Sequence, residues 1–87
     1  MWCFYVLQSK KNQNWFYKGS TNDIKKRFLQ HNNLEVQSSK HYAPLKLVYL
    51  EVYVNEKAAR KREASVKKSG SVWMPLVKRI KESLKEK

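Results

Sequence analysis

Cysteine is nearly absent: Cys3 is the only one in 87 residues, so no internal disulfide can form. With only two histidines beside it, the chain cannot supply the usual Cys/His ligand set of a structural zinc site. Cys3 lies in an apolar run and reads as a small core residue. A reducing, cytoplasmic location is expected. Long apolar stretches are also missing, and none approaches the length of a membrane span. The first residues lack a basic segment, a long apolar segment and a small-residue cleavage site, so no signal peptide is expected. There is no internal repeat and no low-complexity linker, and the length fits one domain over residues 1–87. Acidic residues are scarce. Nineteen Lys and Arg stand against seven Asp and Glu, giving a formal net charge of +12. Such a field attracts polyanions. Nucleic acid is the first candidate partner, ahead of an anionic membrane, because the basic residues are spread over loops and helices.

What is present suffices for a core: 41% of residues are hydrophobic and 13% aromatic. Trp2 to Leu7 is a continuous apolar run and reads as a central strand buried on both faces. A polar turn over residues 8–14 and a second short run, Trp15 to Gly19, complete a β-hairpin. Ser20-Thr21-Asn22-Asp23 is a cluster of helix-capping residues, and a helix is expected from about Asp23 to His31. Asn32 to Pro44 is polar and reads as a loop. Leu45 to Val54 reads as a third strand. Asn55 caps a second helix to about Lys68, with Gly70 suited to its C-terminal turn. Pro75 fits the first turn of a third helix with a Val77, Ile80, Leu84 stripe. The expected fold is α+β, in the order ββαβαα. A small, largely antiparallel three-stranded sheet is flanked by three helices.

In the second helix, Ala59, Glu63 and Val66 share one face. That face should pack on the sheet, where a carboxylate is costly unless paired or bound to a metal. The alternative is an ordinary pair with Arg60 or Lys67. Arg27 and His31, four apart on the first helix, can reach one site. A planar guanidinium suits a phosphate whose negative charge grows during cleavage. Equally, the two can be an exposed arginine and a histidine at a helix end. Tyr5 and Tyr17 fall on the two hairpin strands, as core residues or as hydroxyls turned to a polar site. Gly19 marks a turn or a place of close approach.

Their order along the chain is more informative than any one of them. Cys3-Phe4-Tyr5, about a dozen residues before Tyr17-Lys18-Gly19, resembles the paired motifs that give the GIY-YIG nuclease family its name. The helix with Arg27 and His31 is similar to the family's next element. Arg62-Glu63 resembles the later helix bearing the metal-binding glutamate. The resemblance runs from Phe4 to about Trp73 and is nearest to compact stand-alone members related to the N-terminal nuclease domain of the bacterial excinuclease. Cys3, Phe4 and Lys18 depart from the motif letters. Ser20 stands where the excinuclease domain has lysine.

The resemblance implies a metal-dependent DNA endonuclease with Tyr5, Tyr17, Arg27, His31 and Glu63 as its active site. Glu63 would hold one ion, Mg²⁺ or Mn²⁺. Arg27 would neutralise the phosphate, and either a tyrosine or His31 would take the proton of the attacking water. DNA is expected on a lysine-rich face, with Lys18, Lys25, Lys26 and Lys40 as contacts, together with Lys10, Lys11, His41 and Tyr42. No base-reading motif is visible, so DNA shape is expected to guide selection, in a setting such as repair or recombination. Two rivals remain. One is an inactive basic module of the same fold that binds nucleic acid. The other is a protein-interaction module docking through Trp73, Val77, Ile80 and Leu84.

Overall fold

A computed structural model describes residues 1–86. Strands β1 (Trp2–Ser9), β2 (Phe16–Thr21) and β3 (Leu45–Tyr53) form one sheet in the order β2-β1-β3, and both pairings are antiparallel. Helix α1 (Ile24–Asn32) follows β2, and helices α2 (Glu56–Lys68) and α3 (Gly70–Lys85) follow β3. The architecture is α+β in the order ββαβαα. Among the described residues no helix is long and apolar enough to cross a membrane.

The central strand is apolar at nearly every position because it is covered on both sides. Phe4 and Val6 pack with Val66, Leu76 and Ile80 from α2 and α3. Tyr5 and Leu7 point the other way and pack with Leu45, Ile24 and Phe28. Alternation along a strand sends neighbours to opposite faces, so a run without polar breaks signals two covers. Both caps expected from the sequence form: Asp23 accepts from the Lys26 amide at 3.0 Å, and Asn55 from the Ala58 amide at 2.8 Å. After α1 the chain reverses through Leu34 at φ 64°, a left-handed conformation that glycine adopts more cheaply. The Asn32 side chain then ties α1 to the start of β3, donating to the Leu45 carbonyl at 3.0 Å and accepting its amide at 2.7 Å.

Two local expectations change. Gly70 does not end α2; it opens α3, because Ser69 closes one helix and starts the next. The Ser69 amide donates to Ser65 at 3.2 Å, while its carbonyl accepts from Val72 and Trp73. Pro75 consequently lies inside α3 rather than in its first turn. It is exposed there, where the lost amide donor faces solvent rather than the core. The polar segment 32–44 is likewise not a free loop: Val36, Ser39 and Ala43 are buried, and a short 3₁₀ turn spans Lys40–Tyr42.

A charged anchor sets α2 on the sheet. Glu51 of β3 accepts hydrogen bonds from Arg62 Nε and Nη2, at 3.0 and 3.1 Å, and from the hydroxyls of Tyr49 and Tyr53, each at 2.5 Å. Burial opposes the Glu51 charge, but the tyrosine and arginine donors outweigh it and hold its pKa below the ordinary carboxylate value. Arg62 immediately precedes Glu63, so this bidentate fork also fixes the axial rotation of the next residue. Replacing Arg62 with Ala leaves a partly buried carboxylate with phenolic partners only. A loss of about 2 kcal/mol is expected, scaled down from fully buried pairs. Urea unfolding at neutral pH measures it, with Arg62→Lys expected to recover only part because one ammonium cannot supply the fork.

Candidate active site

The antiparallel register places Tyr5 directly opposite Gly19. The Tyr5 ring uses the space that a side chain at Gly19 would occupy. A Cβ there would stand 2.6 Å from the Tyr5 hydroxyl oxygen and 2.7 Å from its Cζ. Across the same gap Tyr17 stacks on Tyr5, with ring centroids 6.1 Å apart. The glycine therefore meets a close approach of side chains; its backbone angle is ordinary.

Behind Tyr5 lies His31, fully buried. Its Nε2 is 2.9 Å from the Tyr5 hydroxyl and its Nδ1 is 2.7 Å from the Ser39 hydroxyl, so both ring nitrogens are satisfied. Tyr17 packs edge-on against the imidazole at 4.5 Å. Burial, reinforced by the nearby Arg27 charge, lowers the His31 pKa to about 4. The imidazole is neutral at physiological pH. Burial also pushes the Tyr5 phenol well above its usual range, against the opposing pull of Arg27, so Tyr5 keeps its proton. Burial works against the Arg27 charge in turn, and the Tyr5 and Tyr17 hydroxyls more than offset it. Gln30 accepts from the guanidinium at 3.1 Å and braces it.

Glu63 arrives from the opposite face of the sheet. Ala59 and Val66 on its helical face are buried, while the Glu63 side chain is 21% exposed. Ser20 donates to its Oε1 at 2.5 Å, and Lys67 to its Oε2 at 2.6 Å. The pairing with Lys67 raised as an alternative is thus present, and so is a contact from Ser20 that sequence reasoning did not foresee.

These residues converge where edge strand β2 ends. A polar cleft of about 440 Å³ there is lined by Tyr5, Tyr17, Gly19, Arg27 and Glu63, with Ser20, Asp23, Lys26 and Gln30 alongside. Trp2 and Arg60 complete one wall. His31 is not in the lining; it meets the cleft through Tyr5 and Tyr17, which lie over it. Of the lysines expected to meet DNA, Lys26 lines the cleft. Lys25 lies on the neighbouring flank of α1. Lys18 sits over the Trp73 ring at 4.3 Å. Lys40 lies in the 3₁₀ turn, next to Ser39. Ser39 carried no periodic or motif signal, and Ser20 stood out only in the capping cluster and as a departure from the resembled motif. Arg60 carried a periodic one, since three residues before Glu63 it shares that residue's face.

The family model described as the GIY-YIG catalytic domain matches residues 1–72. A UPF0213 protein of Clostridium perfringens is 37% identical over 65 residues, which cover 74% of this chain and 68% of that one. A UPF0213 protein of Listeria welshimeri is 36% identical over 66 residues, covering 75% and 71% respectively. No solved structure gives a significant match.

Two outcomes follow from this geometry. Gly19→Ala should destabilise the chain by about 1–3 kcal/mol, because the colliding ring is buried and held at its hydroxyl. Calorimetry reads the loss, and a melting temperature equal to wild type would show that Tyr5 moves freely. The second outcome concerns acid. The folded His31 pKa of about 4 lies below the ordinary 6.5. Its contribution, of order 3 kcal/mol, is therefore fully present above pH 6.5 and lost as pH falls towards 4. The melting temperature should decline between pH 6.5 and 5, and this decline should flatten in His31→Gln.

Proposed function

The chain belongs to the GIY-YIG family of nuclease domains, and on that premise we propose that it is a divalent-metal-dependent endonuclease that hydrolyses phosphodiester bonds in DNA. The observation that carries this reading is the convergence of Tyr5, Tyr17, Arg27 and Glu63 on one polar cleft. The +12 charge of the chain draws a polyanion towards it.

The residues fit a single hard cation. Among the described residues no three His, Cys, Asp or Glu side chains are grouped to cage a metal. Asp23 also lines the cleft, but its carboxylate caps α1. Glu63 would hold the ion, with water and phosphate oxygen as the remaining donors, an arrangement that would suit Mg²⁺ or Mn²⁺. Such an ion, when bound, polarises the phosphate and stabilises the leaving oxygen. Ser20 orients the carboxylate. Lys67 neutralises it in the free protein and, being 46% exposed, would yield to a bound cation.

The other residues act on the substrate. Arg27 grips the non-bridging oxygens and stabilises the charge that builds on them. Tyr5, protonated and anchored by His31, donates a hydrogen bond into the cleft. Tyr17, half-buried at the cleft, accepts a hydrogen bond from the attacking water and aims it at phosphorus. The water oxygen bonds to phosphorus as the bond to the leaving oxygen breaks; the water releases its proton to solvent and the leaving oxygen takes one from solvent. His31 serves as a positioning residue, since its burial keeps it from the substrate. Selection by DNA shape is favoured over base reading. A second reading rests on the Lys67–Glu63 pair: an inactive module of the same fold that binds nucleic acid by charge.

A panel of labelled single-stranded, duplex, flapped and branched DNA separates the two. Nicking is expected in Mg²⁺, none in EDTA and none with Glu63→Ala, and Arg27→Ala should lower the rate about 10²–10³-fold. Folded wild type that cuts nothing, and binds as well in EDTA as in Mg²⁺, would select the inactive module.

A further inference from the structure

Two residues of the cleft wall take no part in the chemistry above. Trp2 opens β1, where it is half-buried and lines the cleft. A partly exposed indole is a large apolar surface left in water. Arg60 lies on α2, and its guanidinium carbon stands 5.3 Å from the centroid of the Trp2 ring. Arg60 pairs with Glu56, but the two side chains are 60% and 50% exposed. Such a pair contributes little and exchanges readily for a better partner.

Their placement relative to Glu63 is informative. Arg60 shares a helical face with Glu63 and precedes it by three residues, roughly 4.5 Å along the axis. Successive phosphates of one strand lie farther apart than their axial rise of about 3.4 Å, and a long arginine side chain covers the difference. With the scissile phosphate held between Arg27 and Glu63, Arg60 is spaced to meet the next phosphate. Arg60 lies over one face of the Trp2 ring, and in turning to a phosphate it clears that face for a base.

We propose that Trp2 and Arg60 form a nucleotide subsite flanking the reaction centre, in which the indole stacks one unpaired base and Arg60, exchanged from Glu56, binds the adjoining phosphate. The proposal rests on the nuclease reading of the cleft and names its substrate class. A base within a duplex already has both faces covered, whereas one in a single strand, flap or gap has a face to offer. The subsite therefore selects strands with an unpaired nucleotide beside the cut. Stacking on an aromatic ring tolerates every base, so it confers structure selection without sequence selection.

Binding in EDTA tests this without cleavage, using a fluorescein-labelled oligothymidylate, a flapped duplex and a blunt duplex. Trp2→Ala should weaken the first two roughly tenfold and leave the blunt duplex within about twofold. Trp2→Phe should retain most of the affinity. Arg60→Ala should reduce the salt slope for the oligothymidylate by about 0.7. Equal losses on all three DNAs, or no loss on the oligothymidylate, in a variant with wild-type circular dichroism overturns the subsite. Should Trp2→Ala fail to fold, Trp2→Leu reads the same contrast, since it keeps apolar bulk without a ring. Wild type that never cuts in Mg²⁺, yet binds oligothymidylate through Trp2, removes the nuclease reading and leaves the subsite standing. Cleavage through Glu63, with flap affinity unchanged in Trp2→Ala, does the reverse.

Discussion

One missing methyl group organises the cleft. The register pairs Tyr5 with Gly19, and only because Gly19 lacks a Cβ can the phenol lie across the edge strand. From that position its hydroxyl reaches His31, and its ring stacks with Tyr17. His31 in turn holds Ser39 and so draws the segment after α1 against the sheet. A buried imidazole with both nitrogens satisfied tolerates little displacement, since a partner lost inside the protein is not replaced by water. The constraint therefore runs from a strand glycine, through a tyrosine and a histidine, to a loop serine.

Charge is the second constraint. Two of the chain's few carboxylates, Glu51 and Glu63, are held by several donors each. Glu51 is surrounded by two phenols and the Arg62 fork, which fixes α2 on β3. Glu63, one residue after Arg62, accepts from Ser20 and Lys67 and faces the cleft. The first carboxylate is closed by its partners and structural. The second sits at the protein surface, with a lysine that is 46% exposed and free to leave. Adjacent side chains on α2 thus reach the sheet and the cleft respectively, because successive helical residues point in different directions.

The places where sequence reasoning differed from the fold have physical causes. Gly70 and Pro75 suggested a stop and a start by their intrinsic preferences. Packing of Val72, Trp73, Leu76 and Ile80 on the sheet instead extends α3 back to Gly70, since tertiary burial outweighs the helix propensity of single residues. His31 at a helix end invited a role in handling protons at the cleft. Only the packed structure puts Tyr5 between it and that cleft.

The sequence by itself determined the element order, the two helix caps, the two-sided burial of β1 and the shared face of Ala59, Glu63 and Val66. Each follows from local periodicity or local chemistry. It also set the order of Tyr5, Tyr17, Gly19, Arg27 and Glu63 along the chain, from which the family resemblance could be stated. The tertiary structure alone decided which partners those side chains found. Ser20 meets Glu63 across 43 residues and Tyr5 meets His31 across 26. Trp2 meets Arg60 across the sheet-to-helix interface. No local pattern encodes such meetings, because they depend on the distance and angle at which α1 and α2 dock on the two faces of one sheet, which the packing of the whole core sets.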